Sequence, residues 1–297
     1  MGTNVHDGGS FLRIVIDRIR GYLDDPDLDA KYSDDFIVRH VIGPCLADVI
    51  SRLNMNWDNP VVVRHVADLH KECAYYQLPP AIGEIHRICT LDDKDNIIED
   101  WKPRGGWNPR GPGWSIEGNM LSFRPRLSRD LCMEIFYVPT GDVSPHMGTG
   151  TWDKDQNVFT MTDSPTLGQI DRRPNAYAGQ IVRILPDDQA TDKYVEERVV
   201  AVHDVVQSQL KPRFGFHHAS GTYPYEIAPI GAQSLYEAIA AAGSLKLGTY
   251  RKVSQSHYRM ILAQYQSAIK TVGDNLSNLQ MRTGKSWESY TVDSWIE

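Results

Sequence analysis

Two short stretches of the sequence carry residue types that could act in catalysis. "TGKS" at 283–286 ends like a phosphate-binding loop, but Leu279 occupies the position of its leading glycine and a helical pattern precedes it instead of a strand. "HHASG" at 217–221 resembles the turn that presents a nucleophilic serine, but His218 stands where the first glycine belongs. Both stretches lack the backbone features that the chemistry requires. We therefore predict no nucleotide site and no serine nucleophile here.

Histidines and acidic residues give two further candidates, both for metal binding. His65 and His70 are five residues apart, which does not place both on one face of a helix, and the chain has no HExxH motif. "DDKDN" at 92–96 resembles the start of a calcium loop, but Ile97 would be its fifth position and no glycine follows at the sixth. Strands can bring distant carboxylates together, but nothing selects a catalytic pair. These failed motifs imply no nucleotide, metal or substrate.

Composition narrows the class of protein. The chain has 297 residues, a hydrophobic share of 41% and no apolar run long enough for a membrane span. Its first twenty residues carry charges where a secretory signal needs an apolar core, so we expect synthesis in the cytoplasm and four reduced cysteines. The net charge of −7 argues against a protein that grips nucleic acid by its phosphates.

The clearest local structure is a β-hairpin at 114–125, "WSIEGNMLSFRP". Gly118-Asn119 is a two-residue loop of the kind that closes a tight hairpin. Folding the chain at this loop places Ser115 opposite Ser122 on a polar face, and the apolar residues on the other face. We predict that the buried face, part of a β-domain core, consists of Trp114, Ile116, Leu121 and Phe123.

Helical periodicity occupies both ends of the chain. Apolar stripes predict helices over 11–24 and 33–53, with a kink or a new helix at Gly43-Pro44. The pattern returns over 231–248 and again from about 253 to 279. The first of these C-terminal helices is rich in small residues, which allow close helix contact. We predict that it packs against neighbouring subunits through Leu235, Ile239, Ala242 and Leu245.

Between these helices the apolar residues recur at every second position. Segments such as 83–91 and 131–139 predict strands, and the connecting loops are rich in Gly and Pro. The expected fold is therefore α+β: a helical bundle built from both chain ends, with an inserted antiparallel β-sandwich or barrel and a C-terminal extended arm. The predicted boundaries are 1–59 and 226–279 for the two parts of the bundle, 60–225 for the β-rich domain and 280–297 for the arm.

Several segments resemble, in order and spacing, the head-to-tail adaptor (connector) proteins of tailed bacteriophages. The segments are "YYQLPPAIGEIHRICTLDD", the hairpin, "MEIFYVPTGD" and "SLYEAIAAAGSLKLG" followed by a long helix containing tyrosine. The resemblance covers roughly 11–141 and 225–276. Residues 142–222 depart from the compact members of that family because they are longer and rich in strands.

The resemblance implies a structural role in the virion neck, between head and tail. Members of the family are helical bundles with an inserted β-domain. They form a dodecameric ring below the portal protein, extend the DNA channel and provide the attachment platform for the tail. Implied partners are other copies of the chain, the portal, and tail or neck proteins. Double-stranded DNA would pass without specific binding, and no membrane, cofactor or catalysis is implied.

The last eighteen residues are too polar for a core and carry three large aromatic side chains. Because Trp and Tyr are enriched at protein interfaces, we predict that this arm docks into a groove of the portal. A frayed terminus with incidental aromatic residues is the alternative. The predicted docking residues are Trp287, Tyr290 and Trp295.

Two other classes of protein remain open. In the first, the β-domain is a receptor-binding or glycan-binding tail module, in which Trp101, Trp107, Trp114 and Trp152 stack on sugars. In the second, the chain is a tail-associated enzyme that degrades cell wall. Measurements of assembly size and of turnover would discriminate among these classes.

Overall fold

The fold is described from a computed structural model of the chain. The residues that it describes are 10–24, 32–56, 62–92, 97–104, 113–124, 126–140, 142–163, 169–185, 195–229 and 232–283.

The first helix, α1 (Phe11–Leu23), forms as its apolar stripe predicts. Ser10 caps its start by accepting a hydrogen bond from the backbone N–H of Arg13, and Asp24 ends it in the left-handed conformation with φ of 50°. Phe11, Val15 and Ile19 are buried on one face. Helix α1 thus presents a continuous apolar surface to the rest of the chain.

The second predicted helix divides at Gly43-Pro44. It consists of α2 (Asp34–Ile37), a π-helical segment (Val38–Ile42) and α3 (Gly43–Asn56). Pro44 has no N–H, so it cannot donate to the carbonyl of His40 one turn earlier. Nζ of Lys246 donates to that carbonyl at 2.8 Å instead. The new helix at Gly43 therefore confirms one of the two outcomes predicted for this site.

Thirteen strands form within the described residues, and all ladders between them are antiparallel. They are β1 (Val63–Leu69), β2 (Tyr75–Gln77), β3 (Ile82–Leu91), β4 (Ile97–Trp101), β5 (Gly113–Glu117), β6 (Met120–Arg124), β7 (Leu131–Pro139), β8 (His146–Asp153), β9 (Val158–Met161), β10 (Ile181–Ile184), β11 (Glu196–Asp204), β12 (Gln209–Pro212) and β13 (Gly221–Ala228).

These strands make three sheets. A four-stranded sheet has the order β1-β7-β3-β4, a three-stranded sheet has the order β2-β6-β5, and a closed barrel has the order β10-β11-β12-β9-β8-β13. Trp152, Phe159 and Tyr225 fill the barrel core. Gly150 makes room for this packing, because a β-carbon there would lie 2.4 Å from the ring of Phe159.

Strand β7, one of the two inner strands of the four-stranded sheet, is covered on both faces. Met133 and Ile135 point into the same hydrophobic cluster as the helices. Phe136, on the opposite face, belongs to a second cluster that includes Ile181 and Val199 of the barrel. The sheet therefore lies between the helices on one side and the barrel on the other.

The chain ends with α4 (Tyr236–Arg251), after a short 3₁₀ turn, and α5 (Gln255–Thr283). Helix α4 packs closely on α1 at Gly243, where a β-carbon would lie 2.7 Å from Cδ1 of Ile19. The close approach that the small residues predicted therefore occurs within the chain itself.

The predicted fold class is wrong. Thirteen strands, in a six-stranded barrel and two further sheets, outnumber the five α-helices of the described residues, and these helices do not form a bundle that carries an inserted β-domain. The physical reason is that the helices have no core of their own. The apolar faces of α1, α3 and α4 share one continuous cluster with residues of the four-stranded and three-stranded sheets, such as Ile135 and Leu121. The domain boundaries remain a prediction.

Candidate functional site

The candidate site is a groove where α3, α4 and α5 meet. Its volume is about 360 Å³, and it is open to solvent along the surface of the helices. Because α3 and α5 are some two hundred residues apart in the chain, only folding brings their side chains together. The groove is lined by Pro44, Cys45, Asp48, Arg52, Ala242, Leu245, Lys246, Thr249, Tyr258, Leu262 and Tyr265.

Asp48 organises the polar side of the groove. Its carboxylate accepts a hydrogen bond from Nε of Arg52 at 3.2 Å and from the hydroxyl of Tyr265 at 3.4 Å. The guanidinium of Arg52 also lies over the ring of Tyr265, 5.5 Å from its centre. These contacts hold Tyr265 in place between α3 and α5.

The same groove has an apolar floor. Burial raises the pKa of the Cys45 thiol to about 12, so this cysteine is a neutral, unreactive group at physiological pH. Burial, and to a smaller degree the Asp48 carboxylate, also raises the pKa of Tyr265. The groove thus offers a surface for packing and hydrogen bonding, with no activated nucleophile at Cys45.

The four residues predicted for subunit packing divide into two pairs. Leu235 and Ile239 lie in the internal core, so their side chains are not available to a neighbouring subunit, and the prediction needs correction for both. The helical period correctly placed them on a buried face, but that face packs within the chain. Ala242 and Leu245 line the groove, and Leu245 is half-buried. Their contact with a second copy remains a prediction.

Helix α5 extends the groove into a wide exposed surface. Its described buried apolar stripe is narrow and consists of Ile261, Tyr265 and Ile269. Large side chains beside it are exposed: Tyr258 by 37%, Met260 by 48%, and Tyr250 at the end of α4 by 66%. Aromatic and Met residues of this kind are enriched at protein interfaces. The sequence analysis did not select Tyr250 or Met260.

The hairpin register is confirmed residue by residue. Trp114 pairs with Phe123, Ser115 with Ser122, and Ile116 with Leu121. Gly118 closes the turn with φ of 67°.

Burial of the hairpin differs from the prediction at one of its four core residues. Trp114, Leu121 and Phe123 are buried, and Nε1 of Trp114 donates to the carbonyl of Trp101 at 2.8 Å. Ile116 is 47% exposed, so its assignment to the core is wrong. Ile116 lies on β5, an edge strand of its sheet, whereas its partner Leu121 lies on the central strand β6, which also pairs with β2.

The polar face of the hairpin is covered as well. Nη2 of Arg104 donates to Oγ of Ser122 at 2.8 Å and also to Ser115. Ser122 is consequently buried. An alternating pattern cannot show that a distant arginine will lie across the hydroxyl groups.

The histidine-rich stretch at 217–221 forms an ion-pair cluster. The buried Glu196 carboxylate accepts hydrogen bonds from the backbone N–H and Nδ1 of His217, the latter at 2.7 Å, and from Arg198. Burial alone would raise the pKa of Glu196, but these donors hold it below its usual range. The cluster joins β11 to the loop before β13.

The remaining motifs take up separate positions. His65 is buried on β1 and hydrogen-bonded to Tyr76, and His70 lines a different cavity at the end of the strand. The described residues contain no group of three or more metal-ligating side chains. Residues 93–96 and 284–286 lie outside the described part of the chain, as do the predicted docking residues Trp287, Tyr290 and Trp295.

The three tryptophans proposed for sugar stacking that the structure describes do not form an exposed platform. Trp114 and Trp152 are buried in two different cores, and Trp101 is half-buried. Trp107 lies outside the described residues. Trp114 therefore serves as a core side chain of the three-stranded sheet, and Trp152 serves as one of the barrel.

No protein-family model and no curated protein matches the chain. One solved structure, the flagellar hook junction protein FlgK from Burkholderia pseudomallei, aligns with 84% of this chain at 9% identity and a TM-score of 0.16. The chain spans 60% of that protein's length. A TM-score this low carries no argument about fold or function. Among the described helices, none is both long and apolar enough to cross a lipid bilayer.

Proposed function

We propose that the chain is a structural virion protein, a head-to-tail adaptor that forms a ring below the portal and provides the attachment platform for the tail. The proposal starts from the resemblance of 11–141 and 225–276 to that family. The observation that carries it is the surface of α4 and α5, where a groove adjoins three exposed large side chains, one at the end of α4 and two on α5.

Helix α5 suits a contact between proteins. Its 29 residues make it about 44 Å long at 1.5 Å per residue, and its described buried stripe occupies a small part of that surface. The surface around the groove combines Tyr250, Tyr258 and Met260 with the charged pair of Asp48 and Arg52. Such a combination of aromatic anchors and a polar rim is typical of interfaces.

The charge of the chain fits passage of DNA through a ring. A net charge of −7 repels phosphates, so DNA would slide along the channel without being held. In this proposal the helices build the ring, and the barrel projects from the opposite face of the four-stranded sheet toward other neck or tail components.

The proposal is tested by mixing purified protein with DNA-filled heads that carry a portal and no tail. We expect a ring of this chain on the portal vertex, visible by electron microscopy. Tyr258→Glu and Met260→Glu, which place a charge on the proposed contact surface, should abolish attachment. Val206→Glu is the matched control because Val206 is 89% exposed on the barrel hairpin.

Three outcomes would overturn the proposal. The first is a failure of the folded wild-type protein to bind the heads. The second is normal attachment of both charged variants, which would remove α5 from the interface. The third is binding to host-cell glycans or turnover of cell-wall substrate in the absence of heads.

A further inference from the structure

The four-stranded sheet has an open edge at β4. Among the described strands β4 pairs with β3 alone, so the backbone N–H and C=O groups along its other edge have no strand partner there. The first four residues of β4, 97–100, are exposed. A strand edge of this kind is a template for pairing with another extended chain.

The other edges of the two open sheets are less available. Strand β1, at the opposite edge of the same sheet, contacts β11 of the barrel. Strand β5 already forms a bridge from Trp114 to Pro103, and Arg104 lies across its serine face. Strand β2 has only three residues. Strand β4 is therefore the edge best suited to pairing with a second chain.

A cleft at the end of the same sheet adjoins β4. Its volume is about 750 Å³, and it lies between the strand ends of the sheet and the loop that joins β12 to β13. Ile98 of β4 and Phe214 of that loop both line it, and both are exposed large apolar side chains. A chain paired with β4 would place one of its side chains beside Ile98, at the mouth of this cleft.

The charges around β4 and the cleft define the chemistry of the partner. Strand β4 carries Glu99 and Asp100 and no basic residue. Asp100 pairs with Arg87 at 2.7 Å, whereas Glu99 has no ion pair within the described residues. The lining of the cleft adds three aspartates against two arginines and one histidine. The surface is acidic overall, so it suits a strand that carries basic side chains.

A second copy of β4 fits this edge poorly. Antiparallel pairing about the middle of the strand would place Glu99 opposite the same residue of the other copy. Like charges that lie directly opposite each other on neighbouring strands destabilise a sheet. The charge of β4 therefore favours a different chain as its partner.

We propose that β4 and the adjoining cleft bind an extended segment of another protein in which apolar and basic side chains alternate. Backbone hydrogen bonds to β4 add one strand to the sheet. Because neighbouring residues of a strand point to opposite faces, a basic side chain pairs with Glu99 while the next, apolar one packs against Ile98 and Phe214. The proposal does not depend on the adaptor function, because the cleft shares no residue with the α4–α5 groove.

The experiment is an NMR titration of the full chain with a short peptide of alternating valine and lysine. A peptide of the same length with glutamate in place of lysine is the control. We expect the lysine peptide, and not the glutamate peptide, to shift the backbone amide signals of 97–100 and to slow their hydrogen exchange. The proposal is overturned if the lysine peptide leaves these signals unchanged, or if both peptides bind equally.

Variants on two edge strands separate pairing at β4 from general attraction of charge. Glu99→Lys should weaken binding of the lysine peptide about fivefold or more, because it replaces an opposite-charge pair by a like-charge pair. Glu117→Lys is the matched control, since Glu117 is also a half-exposed glutamate on an edge strand, β5. Equal weakening by the two variants would overturn the assignment to β4.

Phe214→Ser tests the cleft. It removes an exposed apolar side chain, so the fold should be retained, and binding of the lysine peptide should weaken because the apolar side chain beside Ile98 loses a contact. Unchanged affinity of this variant would overturn the role of the cleft.

Discussion

His65 and Gly179 are in such close contact that a β-carbon on Gly179 would lie 1.8 Å from Nδ1 of His65. His65 is on β1, and Gly179 precedes β10 of the barrel, so this contact joins the four-stranded sheet to the barrel. The other ring nitrogen of His65, Nε2, is 2.8 Å from the hydroxyl of Tyr76. Gly179 also has φ of 75°, which favours glycine.

Gly179→Ala should therefore lower the free energy of unfolding by roughly 3 kcal/mol or more, because it combines backbone strain with a clash against a buried ring. Gly118→Ala is the control: Gly118 has φ of 67°, but nothing lies within 4 Å of an added β-carbon. It should cost only about 1–2 kcal/mol. Urea unfolding measures both, and equal losses would show that the contact with His65 is unimportant.

The hairpin gives a prediction based on burial at two positions of one strand. Trp114→Ala should lower the free energy of unfolding by roughly 3–5 kcal/mol, because it leaves a cavity in the core. Ile116→Ala should cost under about 1 kcal/mol, because almost half of Ile116 is exposed. Thermal or urea unfolding can compare the two variants. If Ile116→Ala were the more damaging change, our assignment of the buried residues would be wrong.

Glu226 connects the start of α1 to the barrel. Its buried carboxylate accepts hydrogen bonds from the backbone N–H groups of Phe11 and Leu12 at 2.9 Å and pairs with Arg183 at 3.1 Å. Glu226→Gln should cost roughly 3 kcal/mol of stability, because Arg183 loses the fully buried one of its two carboxylate partners. Glu197→Gln should cost much less, since Glu197 is partly exposed and also contacts Arg183. Similar melting temperatures for both variants would contradict this account.

Three buried histidines make the stability of the chain sensitive to acid. Burial lowers the pKa values of His65, His146 and His203 to about 4, below the value of 6.5 in an unfolded chain. The unfolded state therefore binds more protons between these two values, and stability should fall as the pH drops from 6.5 toward 4. At pH 5 the loss should be roughly 2 kcal/mol per histidine.

Urea unfolding at several pH values measures this dependence. A variant such as His203→Gln, which removes one of the three groups, should reduce the slope between pH 6.5 and pH 4. An unchanged slope would mean that His203 is not the neutral buried group that the structure indicates. Below pH 4, loss of the carboxylate charge at Glu196 and Asp171, whose pKa values are lowered, should destabilise the chain further.

The C-terminal segment gives a prediction that follows from the proposed function. Helix α5 continues to Thr283, so a truncation that removes 284–297 keeps the whole helix and deletes the three aromatic residues of the predicted arm. We expect nearly unchanged thermal stability and loss of attachment to portal-bearing heads. Normal attachment of the truncated protein, or its unfolding, would show that these residues are not a docking arm.

Local features were predictable from the sequence where they depend only on residues that are close together in the chain. The register of the hairpin follows from Gly118-Asn119 and the alternation on either side, since a two-residue turn allows one pairing. Helix α1 follows from an apolar stripe and a capping serine at its start.

The barrel strands β8 and β13 were not predicted, because they lack a clear alternation of apolar residues. Side chains from parts of the chain that are distant in sequence fill their buried side instead. Gly148 and Gly150 lie on β8 where apolar residues would be expected in a buried strand. The rings of Tyr225 and Phe159, from neighbouring strands, fill the space beside these glycines. Pro224 within β13 further weakens the strand pattern.

The sequence by itself determined which residues would be buried on most helices and strands. The reason is that apolar residues on a buried face recur with the period of the helix or strand. It did not determine what covers each buried face. The stripe that contains Ile239 was equally compatible with a neighbouring subunit and with the chain's own core. Tertiary structure alone decided that the helices share one core with two sheets, and that Asp48 of α3 meets Tyr265 of α5. These pairings decide the fold class and the groove, since apolar burial is non-directional and does not specify its partner.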